Sequence, residues 1–265
     1  MLGHGNISNC NIPTIITANI GDSNIVAISA GYEHSLFLDE NGKVYSCGNG
    51  GSGKLGHGDV SNKYYPTRID TFKNLEVNIV AISAGSDNSF FLDKNGKVYS
   101  CGDGEYGQLG RVINNNNNIP IIIDTYSNLD SVIDRPNIVA ISTGLEHSLF
   151  LDENGKVYSC GNVNNGKLGL GDNINRDRPT RIDTFKDAND NPLDTIPTIV
   201  AISVGGRHSL FLDNNGYVYS CGYNYYGQLG DGNIVKKYYP TKINTVLNIV
   251  AISTGLDHSL FLDEN

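Results

Sequence analysis

The stretch from Ile25 to Gly48 reads IVAISAGYEHSLFLDENGKVYSCG, and the rest of the chain is built from copies of it. Close copies begin at four further positions: Ile79, Ile138, Ile199 and Ile249. Self-similarity at intervals of about 50 to 60 residues is typical of solenoids, propellers and other arrays. The repeat unit therefore predicts the fold of the whole chain.

One repeat predicts a four-stranded antiparallel sheet. Three short apolar runs, IVAIS, SLFLD and KVYSC, follow one another, and Asn41-Gly42 separates the last two. Asn-Gly accepts positive φ at both central positions of a turn, so it is a strong hairpin signal. A fourth, weaker element from Tyr65 to Ile69 carries Pro66, which lacks an N–H for a ladder bond and favours a sheet edge. We expect the strands to pair in this order.

The apolar runs do not alternate cleanly with polar residues. A strand with one wet face would alternate, so these strands are expected to be covered on both faces. The first strand also carries small residues, Ala27, Ser29 and Ala30, which suit a crowded inner edge. This pattern predicts an all-β fold in which sheets stack as the blades of a propeller.

Three motifs of the repeat carry a family resemblance. They are Gly31-x-x-His34-Ser35, Val44-Tyr45-Ser46-x-Gly48, and Gly53-Lys54-Leu55-Gly56-His57-Gly58 followed by Pro66. In this order they resemble the regulator of chromosome condensation repeat. The resemblance implies a β-propeller, typically of seven blades, that serves as a protein-binding scaffold. It also implies a relation to the family's founding member, a guanine-nucleotide exchange factor for the small GTPase Ran. Cysteine replaces the usual aromatic residue before Gly48, and the chain has no Trp.

The copies indicate how the chain is organised. We expect residues 1–265 to form a single propeller domain, with repeats beginning near residues 24, 78, 137, 198 and 248. Residues 1–23 are expected to supply an edge strand, and the fifth copy stops before its KVYSC run. The prediction is four complete four-stranded blades plus one incomplete composite blade, in an open arc or imperfectly closed ring. An unpaired edge strand in that blade could mediate self-association.

Composition bounds the class of partner and the compartment. The formal net charge of -9 repels a phosphate backbone and no Lys/Arg cluster offsets it, so direct nucleic-acid binding is not expected. No run suits a membrane span. Four of the five cysteines, Cys47, Cys101, Cys160 and Cys221, share one repeat position. Stacked sheets lie about 10 Å apart, too far for a disulfide, so we expect buried free thiols in an intracellular, reducing compartment, either cytoplasm or nucleus.

The recurring polar residues indicate structure rather than chemistry. One position holds His34, His147, His208 and His258, with Asn88 in the second copy. A catalytic histidine needs a unique constellation, so we expect these side chains to satisfy backbone groups. Gly48 to Lys54 matches the start of a phosphate loop, but Leu55 stands where that motif needs Ser or Thr. No catalytic residue, metal site or cofactor is predicted, and the chain is expected not to be an enzyme.

The informative residues are those that vary within the constant frame. Two residues between each Gly and His do so: Tyr32-Glu33, Ser86-Asp87, Leu145-Glu146, Gly206-Arg207 and Leu256-Asp257. We expect them to ring one mouth of the propeller, and loops on a rigid scaffold are where binding usually occurs. In the exchange factor that the chain resembles, acidic residues in such loops contact the GTPase. The resemblance therefore implies that the variable pairs form an acidic rim, interrupted by an arginine. That rim comprises Glu33, Asp87, Glu146, Arg207 and Asp257; a merely solvated rim is the alternative.

The function favoured by these features is a non-enzymatic protein-interaction scaffold. Two alternatives stay open. One is a guanine-nucleotide exchange factor for a Ran-like small GTPase. The other is a chain without activity of its own that completes another propeller.

Overall fold

The computed structural model describes residues 3–5, 10–17, 19–21, 23–112, 117–127, 129, 135–244 and 248–264. Two compact units divide the chain. The first comprises residues 1–105 and 113–123, and the second comprises residues 106–112 and 124–265. In the described residues, no helix is both long and apolar enough to cross a membrane.

The first unit contains two four-stranded antiparallel sheets. One consists of β1 (Ile25–Ala30), β2 (His34–Asp39), β3 (Val44–Gly48) and β4 (Lys63–Arg68). A short helix, α1 (Asp70–Asn74), leads to the other, which consists of β5 (Ile79–Ala84), β6 (Asn88–Asp93), β7 (Val98–Gly102) and β8 (Ile121–Ile122).

The second unit contains two further four-stranded sheets and one two-stranded sheet. The four-stranded sheets are β9 (Ile138–Thr143), β10 (His147–Asp152), β11 (Val157–Gly161) and β12 (Arg176–Arg181), and then β13 (Ile199–Val204), β14 (His208–Asp213), β15 (Val218–Gly222) and β16 (Lys237–Lys242). The fifth repeat forms β17 (Ile249–Thr254) and β18 (Ser259–Asp263).

The all-β class and the strand order agree with the sequence predictions. Every four-stranded sheet follows chain order from its IVAIS strand to its edge strand, so the four complete blades are confirmed. Residues 10–17, where the sequence predicted an edge strand, have no strand assigned. The single domain and the form of the ring stay predictions.

The hairpins lie where Asn-Gly predicts them, but their turn type differs. Of the two central residues, only the glycine adopts a positive φ, 74° at Gly42, and Asn41 stays outside the left-handed region. Asp39 supplies the missing constraint, because its Oδ1 accepts the N–H groups of Asn41 and Lys43 at 2.9 and 2.8 Å. An aspartate that bonds to its own following backbone is a common turn device.

Aromatic side chains join neighbouring repeats near their outer strands. Phe72 of the first repeat meets Phe91 and Tyr99 of the second edge-on, with ring centroids 5.0 and 5.7 Å apart. Phe185 of the third repeat meets Phe211 and Tyr219 of the fourth in the same way. Such edge-to-face pairs add to the stabilisation from burial alone, so they hold together the first and second sheets and, separately, the third and fourth.

A histidine–serine bridge also joins neighbouring repeats. The ring Nε2 of the histidine that opens a second strand lies at hydrogen-bond distance from the serine hydroxyl of the next repeat. The pairs are His34 with Ser89, His147 with Ser209 and His208 with Ser259, at 2.8, 2.9 and 2.9 Å. The histidines were predicted to be structural, and they are. The partner of Nε2, however, is a side chain of the next repeat.

Each bridging serine also reaches back to the repeat of its histidine. The hydroxyls of Ser89, Ser209 and Ser259 donate to the carbonyl oxygens of Lys54, Lys167 and Gln228, at 2.7, 2.8 and 2.7 Å. A hydroxyl has one hydrogen to donate. Since that hydrogen goes to the carbonyl, the serine must accept from the histidine, which therefore carries its proton on Nε2.

Burial keeps these histidines neutral. It lowers the pKa of His34 and of His208 to about 4, and the nearby Lys54 ammonium lowers that of His34 further. The pKa of His147 lies well below 6.5 for the same main reason. The Nδ1 atoms of all three are buried and accept no hydrogen bond. A protonated ring would place an unpaired N–H there, so only the neutral form fits the junction.

The repeat cysteines lie beside the same carbonyls. The Sγ atoms of Cys101 and Cys221 lie 3.6 and 3.7 Å from the carbonyl oxygens of Lys54 and Lys167. Cys47, Cys101, Cys160 and Cys221 are buried free thiols, and Cys10 is an exposed one. Burial raises the pKa of Cys47 to about 11, so this thiol stays protonated and inert, as the sequence predicts for the repeat cysteines.

The neutral histidines predict a pH-dependent stability. Between pH 6.5 and about 4, the unfolded chain binds protons that the folded chain does not, so the free energy of unfolding falls as pH falls through this window. Each fully titrating histidine contributes about 1.4 kcal/mol per pH unit. In the variant His147→Asn, which copies the natural Asn88, the free energy of unfolding should fall less steeply with pH, by the contribution of one histidine. Urea unfolding at several pH values measures this slope. Equal slopes for the variant and the parent chain would contradict this assignment.

Candidate interaction site in the loops before the histidines

A glycine at the end of each third strand holds the variable loop in place. Gly48 has a φ of 122°, and a Cβ there would overlap the carbonyl oxygen of Glu33. The next residue, Asn49, donates its N–H to that same carbonyl at 2.9 Å. The other complete repeats repeat this contact, from Asp103 to Asp87, Asn162 to Glu146 and Tyr223 to Arg207. The backbone of the loop is therefore constant while its side chains differ.

In the first unit, the predicted site residues are Glu33 and Asp87. Glu33 is exposed, and its carboxylate has no partner among the described residues. Asp87 differs, because its Oδ1 lies 2.6 Å from the Nζ of the buried Lys54 of the preceding repeat. Burial raises the pKa of Asp87. The hydrogen bond from Lys54, the positive charge of Lys54 and the hydrogen bond from the Ser86 hydroxyl outweigh burial, so the pKa is lowered overall. Asp87 therefore stays ionised.

In the second unit, the predicted site residues are Glu146, Arg207 and Asp257. The Glu146 carboxylate accepts a 2.9 Å hydrogen bond from the Nζ of the buried Lys167. Burial lowers the pKa of Lys167, the Glu146 carboxylate opposes that shift, and the Arg207 charge adds to it. Asp257 accepts a long, 3.4 Å hydrogen bond from the side-chain amide of Gln228. The carboxylates in this unit thus have partners.

The two buried lysines change the electrostatic character of the predicted rim. Sequence reasoning used Lys54 as part of a repeat motif and of a rejected phosphate loop, and it did not single out Lys167. Both follow the glycine that ends the third strand by six residues. The ammonium group of Lys54 reaches the variable loop of the next repeat, whereas that of Lys167 reaches the variable loop of its own repeat. Two of the four predicted acids, Asp87 and Glu146, are therefore each paired with a buried ammonium group.

A cluster of tyrosines lies beside Arg207. Its guanidinium carbon is 5.9 Å from the ring centroid of Tyr223. Tyr225 stacks on Tyr223 at 6.3 Å and meets Tyr226 edge-on at 5.3 Å. Tyr225 and Tyr226 are 64% and 67% exposed. We call Arg207, Tyr223, Tyr225 and Tyr226 the tyrosine patch.

The tyrosine patch is visible in the sequence as an aromatic-rich loop, but comparison of the repeats gave that loop no special role. The corresponding loops read GNGGSG, GDGEYG and GNVNNG in the other complete repeats, and only the fourth reads GYNYYG. Comparison of the copies marked this segment as the repeat's own loop. Tyr223 and Tyr225 replace small and polar side chains of the other copies, whereas Tyr226 aligns with Tyr106 of the second copy. The two that break the pattern complete the patch.

A buried asparagine anchors the loop that carries the tyrosine patch. The Nδ2 of Asn224 lies 3.0 Å from Asp231 Oδ1, 3.0 Å from the Asn233 carbonyl and 3.1 Å from the Val235 carbonyl. Its Oδ1 accepts the N–H of Leu229 at 2.9 Å. A polar side chain whose hydrogen-bonding groups are all engaged holds one conformation. The exposed tyrosines therefore stand on a rigid base.

Repeated four-stranded antiparallel sheets, joined by the histidine–serine bridge and displaying variable loops, define a propeller-type repeat protein. The family model for the RCC1-like domain matches residues 1–261. The chain therefore belongs to the RCC1-like family, as the motifs predicted.

Relatives by sequence are diverse. The E3 ubiquitin-protein ligase HERC2 of Homo sapiens is 31% identical over 231 residues, which are 87% of this chain and 4% of HERC2. The ultraviolet-B receptor UVR8 of Arabidopsis thaliana is 29% identical over 243 residues, which are 91% of this chain and 51% of UVR8. The chain thus spans about half the length of UVR8 and a small part of HERC2.

Solved structures share the fold. Human WBSCR16 is 24% identical, with a TM-score of 0.77 over 92% of this chain and 59% of that protein. Prp20p of Saccharomyces cerevisiae, studied for its binding to Gsp1p and histones, is 24% identical, with a TM-score of 0.73 over 93% of this chain and 58% of that protein. At this identity the likeness concerns the fold.

Removal of the lysine beneath Asp87 should change the titration of that carboxylate. In Lys54→Met, burial persists while the compensating charge is lost, so the pKa of Asp87 should rise above its ordinary value. Carboxyl-carbon NMR titration measures this shift. Lys63→Met is the matched control: Lys63 lies 3.0 Å from Asp59, so the control should raise the pKa of Asp59 and leave Asp87 unchanged. An unaltered Asp87 in Lys54→Met would refute the pairing.

Proposed function

We propose that this chain is a non-enzymatic protein-interaction module that binds its partner through the variable loops, with the tyrosine patch as anchor. The observation that carries the proposal is the exposure of Tyr225 and Tyr226 beside Arg207 on an anchored loop. Tyrosine and arginine are enriched among the residues that contribute most binding energy in protein interfaces.

The rigidity of the patch supports a binding role. Side chains that are ordered before binding lose less conformational entropy when a partner arrives. Asn224 holds the loop backbone, and Tyr226 donates its N–H to the side-chain oxygen of Gln228 at 3.0 Å. Large amphipathic rings on such a base can bury area against a partner at low entropic cost.

The charges of the loops favour recognition of a partner by short-range contacts rather than by long-range electrostatic attraction. In the second unit Lys167 neutralises Glu146, so this unit presents a paired charge as well as exposed aromatic rings. Paired charges steer a partner weakly. We therefore infer a partner selected by shape and aromatic contact, with Arg207 and Asp257 of the same unit as supporting polar contacts.

Guanine-nucleotide exchange on a Ran-like GTPase is the competing proposal, based on the family resemblance. In that role the loop acids would contact the GTPase directly. Here a buried ammonium already engages Asp87 and another engages Glu146. These pairs argue for the scaffold role, and the exchange assay tests the alternative: acceleration of fluorescent-GDP release from a Ran-type GTPase would overturn the purely non-enzymatic proposal.

Capture from native extract followed by quantitative mass spectrometry tests the anchor. The double variant Tyr225→Ser/Tyr226→Ser should capture at least tenfold less of the specific partner, because it removes the exposed aromatic area. A tenfold loss of affinity corresponds to about 1.4 kcal/mol. Arg207→Glu should weaken capture of the same partner.

The matched control is Tyr64→Ser/Tyr65→Ser, which removes two adjacent exposed tyrosines from β4, outside the tyrosine patch. It should capture the partner as the parent chain does. Equal capture by the patch variant and this control would refute the tyrosine patch as the anchor.

A further inference from the structure

The outer strand of the third sheet has an acid beside the cation at each of its ends. Arg176 opens β12 and pairs with Asp172, four residues before it. Arg181 closes the strand, and its Nε lies 2.6 Å from Asp183 Oδ1. The third repeat thus balances these two charges locally.

The outer strand of the fourth sheet keeps the cations and replaces both acids. At the corresponding positions β16 carries Lys237 and Lys242, whereas the acids become Asn233 and Asn244. Asp231, the nearest acid before the strand, accepts a 2.9 Å hydrogen bond from the side-chain amide of Asn233. Its carboxylate is therefore already engaged by an amide.

Two more lysines lie at this strand. Lys236 directly precedes β16, at a position that asparagine holds in the first and third repeats. Lys186 of the third repeat donates its backbone N–H to the Pro240 carbonyl at 2.8 Å and accepts the N–H of Lys242 at 2.9 Å. It joins the others only in the fold, so the sequence alone does not show the cluster. We call Lys186, Lys236, Lys237 and Lys242 the lysine patch.

Tyrosine rings support three of these lysines. The Nζ atoms of Lys186, Lys236 and Lys242 lie 4.8, 5.2 and 3.1 Å from the ring centroids of Tyr239, Tyr238 and Tyr217. A ring attracts an ammonium group through its quadrupole and leaves the net charge in place. The rings therefore position the lysines without neutralising them.

The access to this strand is a property of the repeat and does not depend on the length of the fifth copy. Asp177 and Arg178 of β12 are exposed although the complete fourth repeat follows them, and Asn175, the counterpart of Lys236, is exposed as well. The corresponding stretch of β16 is no more exposed than that of β12.

A carboxylate of the chain itself shows which chemistry the lysine patch accepts. Asp190 Oδ2 lies 3.1 Å from Lys186 Nζ, and Asp190 Oδ1 lies 3.9 Å from Lys237 Nζ. Asp190 has a φ of 69° in a turn whose backbone N–H groups donate to the Asp187 carboxylate. The turn thus holds one acid between two of the four lysines.

We propose that the lysine patch binds a short acidic segment of a partner protein. Carboxylates of that segment pair with Lys236 and Lys242, which form no ion pair among the described residues, and compete with Asp190 for the other two lysines. The contact uses side chains of the outer strand and not the variable loops, so it does not rest on the proposed function.

The size of the lysine patch and the charge of the chain favour a short acidic segment over a nucleic acid. The strand from Lys237 to Lys242 covers about 17 Å, the length of about five extended residues. Duplex DNA carries one charge per about 1.7 Å along its whole length. The net charge of -9 repels such a polyanion beyond the lysine patch, whereas a short segment meets only the lysines.

Fluorescence anisotropy of a labelled peptide of alternating glutamate and serine tests the lysine patch at low ionic strength. The parent chain should bind this peptide, lose it as salt rises, and not bind the same peptide with glutamine in place of glutamate. Lys236→Asn and Asn244→Asp each copy a residue of the third repeat. Each variant should weaken binding about threefold, the contribution of an exposed ion pair.

Asp190→Asn should act in the opposite direction. Asparagine tolerates the same positive φ, and the variant removes the competing carboxylate, so the peptide should bind about threefold more tightly. Loss of folding cannot produce this gain.

Val200→Glu is the matched control, because it also lowers the net charge by one but lies on β13, at the opposite edge of the same sheet. It should bind the peptide as the parent chain does. A parent chain that does not bind the peptide, equal affinities for the parent and the three patch variants, or tighter binding of single-stranded oligothymidylate than of the peptide would overturn the proposal.

Discussion

The structure depends on a buried bridge between repeats: a histidine donates to a serine of the next repeat, and that serine donates to a loop carbonyl of the histidine's own repeat. The bridge satisfies polar groups that would otherwise be costly to bury. Because it needs a neutral ring with its proton on Nε2, it also sets the protonation state of the junction. The same carbonyls, those of Lys54 and Lys167, meet the buried thiols of Cys101 and Cys221. At these junctions, which lie within each unit, neighbouring repeats share hydrogen bonds as well as apolar contacts.

The bridge and the variable loops are neighbours along the chain, and this proximity relates stability to binding. The histidine that opens the second strand directly follows the variable pair, and the glycine paired with it fixes the loop carbonyl. The side chains of the loop can then change without disturbing the frame. Lys54 takes part in both features: its carbonyl accepts a hydrogen bond from a bridging serine, and its ammonium group pairs with Asp87 of the variable loop. A family built this way can alter its contact surface one residue at a time.

Local pattern predicted the strands, their order and the hairpins, because apolar runs and Asn-Gly act over a few residues. It also predicted that recurring histidines and cysteines are structural. It could not supply the partner of each histidine, since Ser89 lies 55 residues beyond His34 and becomes a neighbour only when the sheets stack. The lysine pairs show the same limit: Lys54 reaches the next repeat, whereas Lys167 reaches its own. The tyrosine patch was visible as a departure from the repeat, but only the structure shows that its rings cluster on an anchored loop.

Histidine tautomers provide the most direct test of the central bridge. Long-range nitrogen–proton NMR correlation at neutral pH distinguishes a ring protonated on Nε2 from one protonated on Nδ1 and from the doubly protonated form. The structure predicts neutral, Nε2-protonated rings for His34, His147 and His208, because each serine has already given its hydrogen to a carbonyl. Nδ1-protonated or charged rings at these three positions would contradict the account.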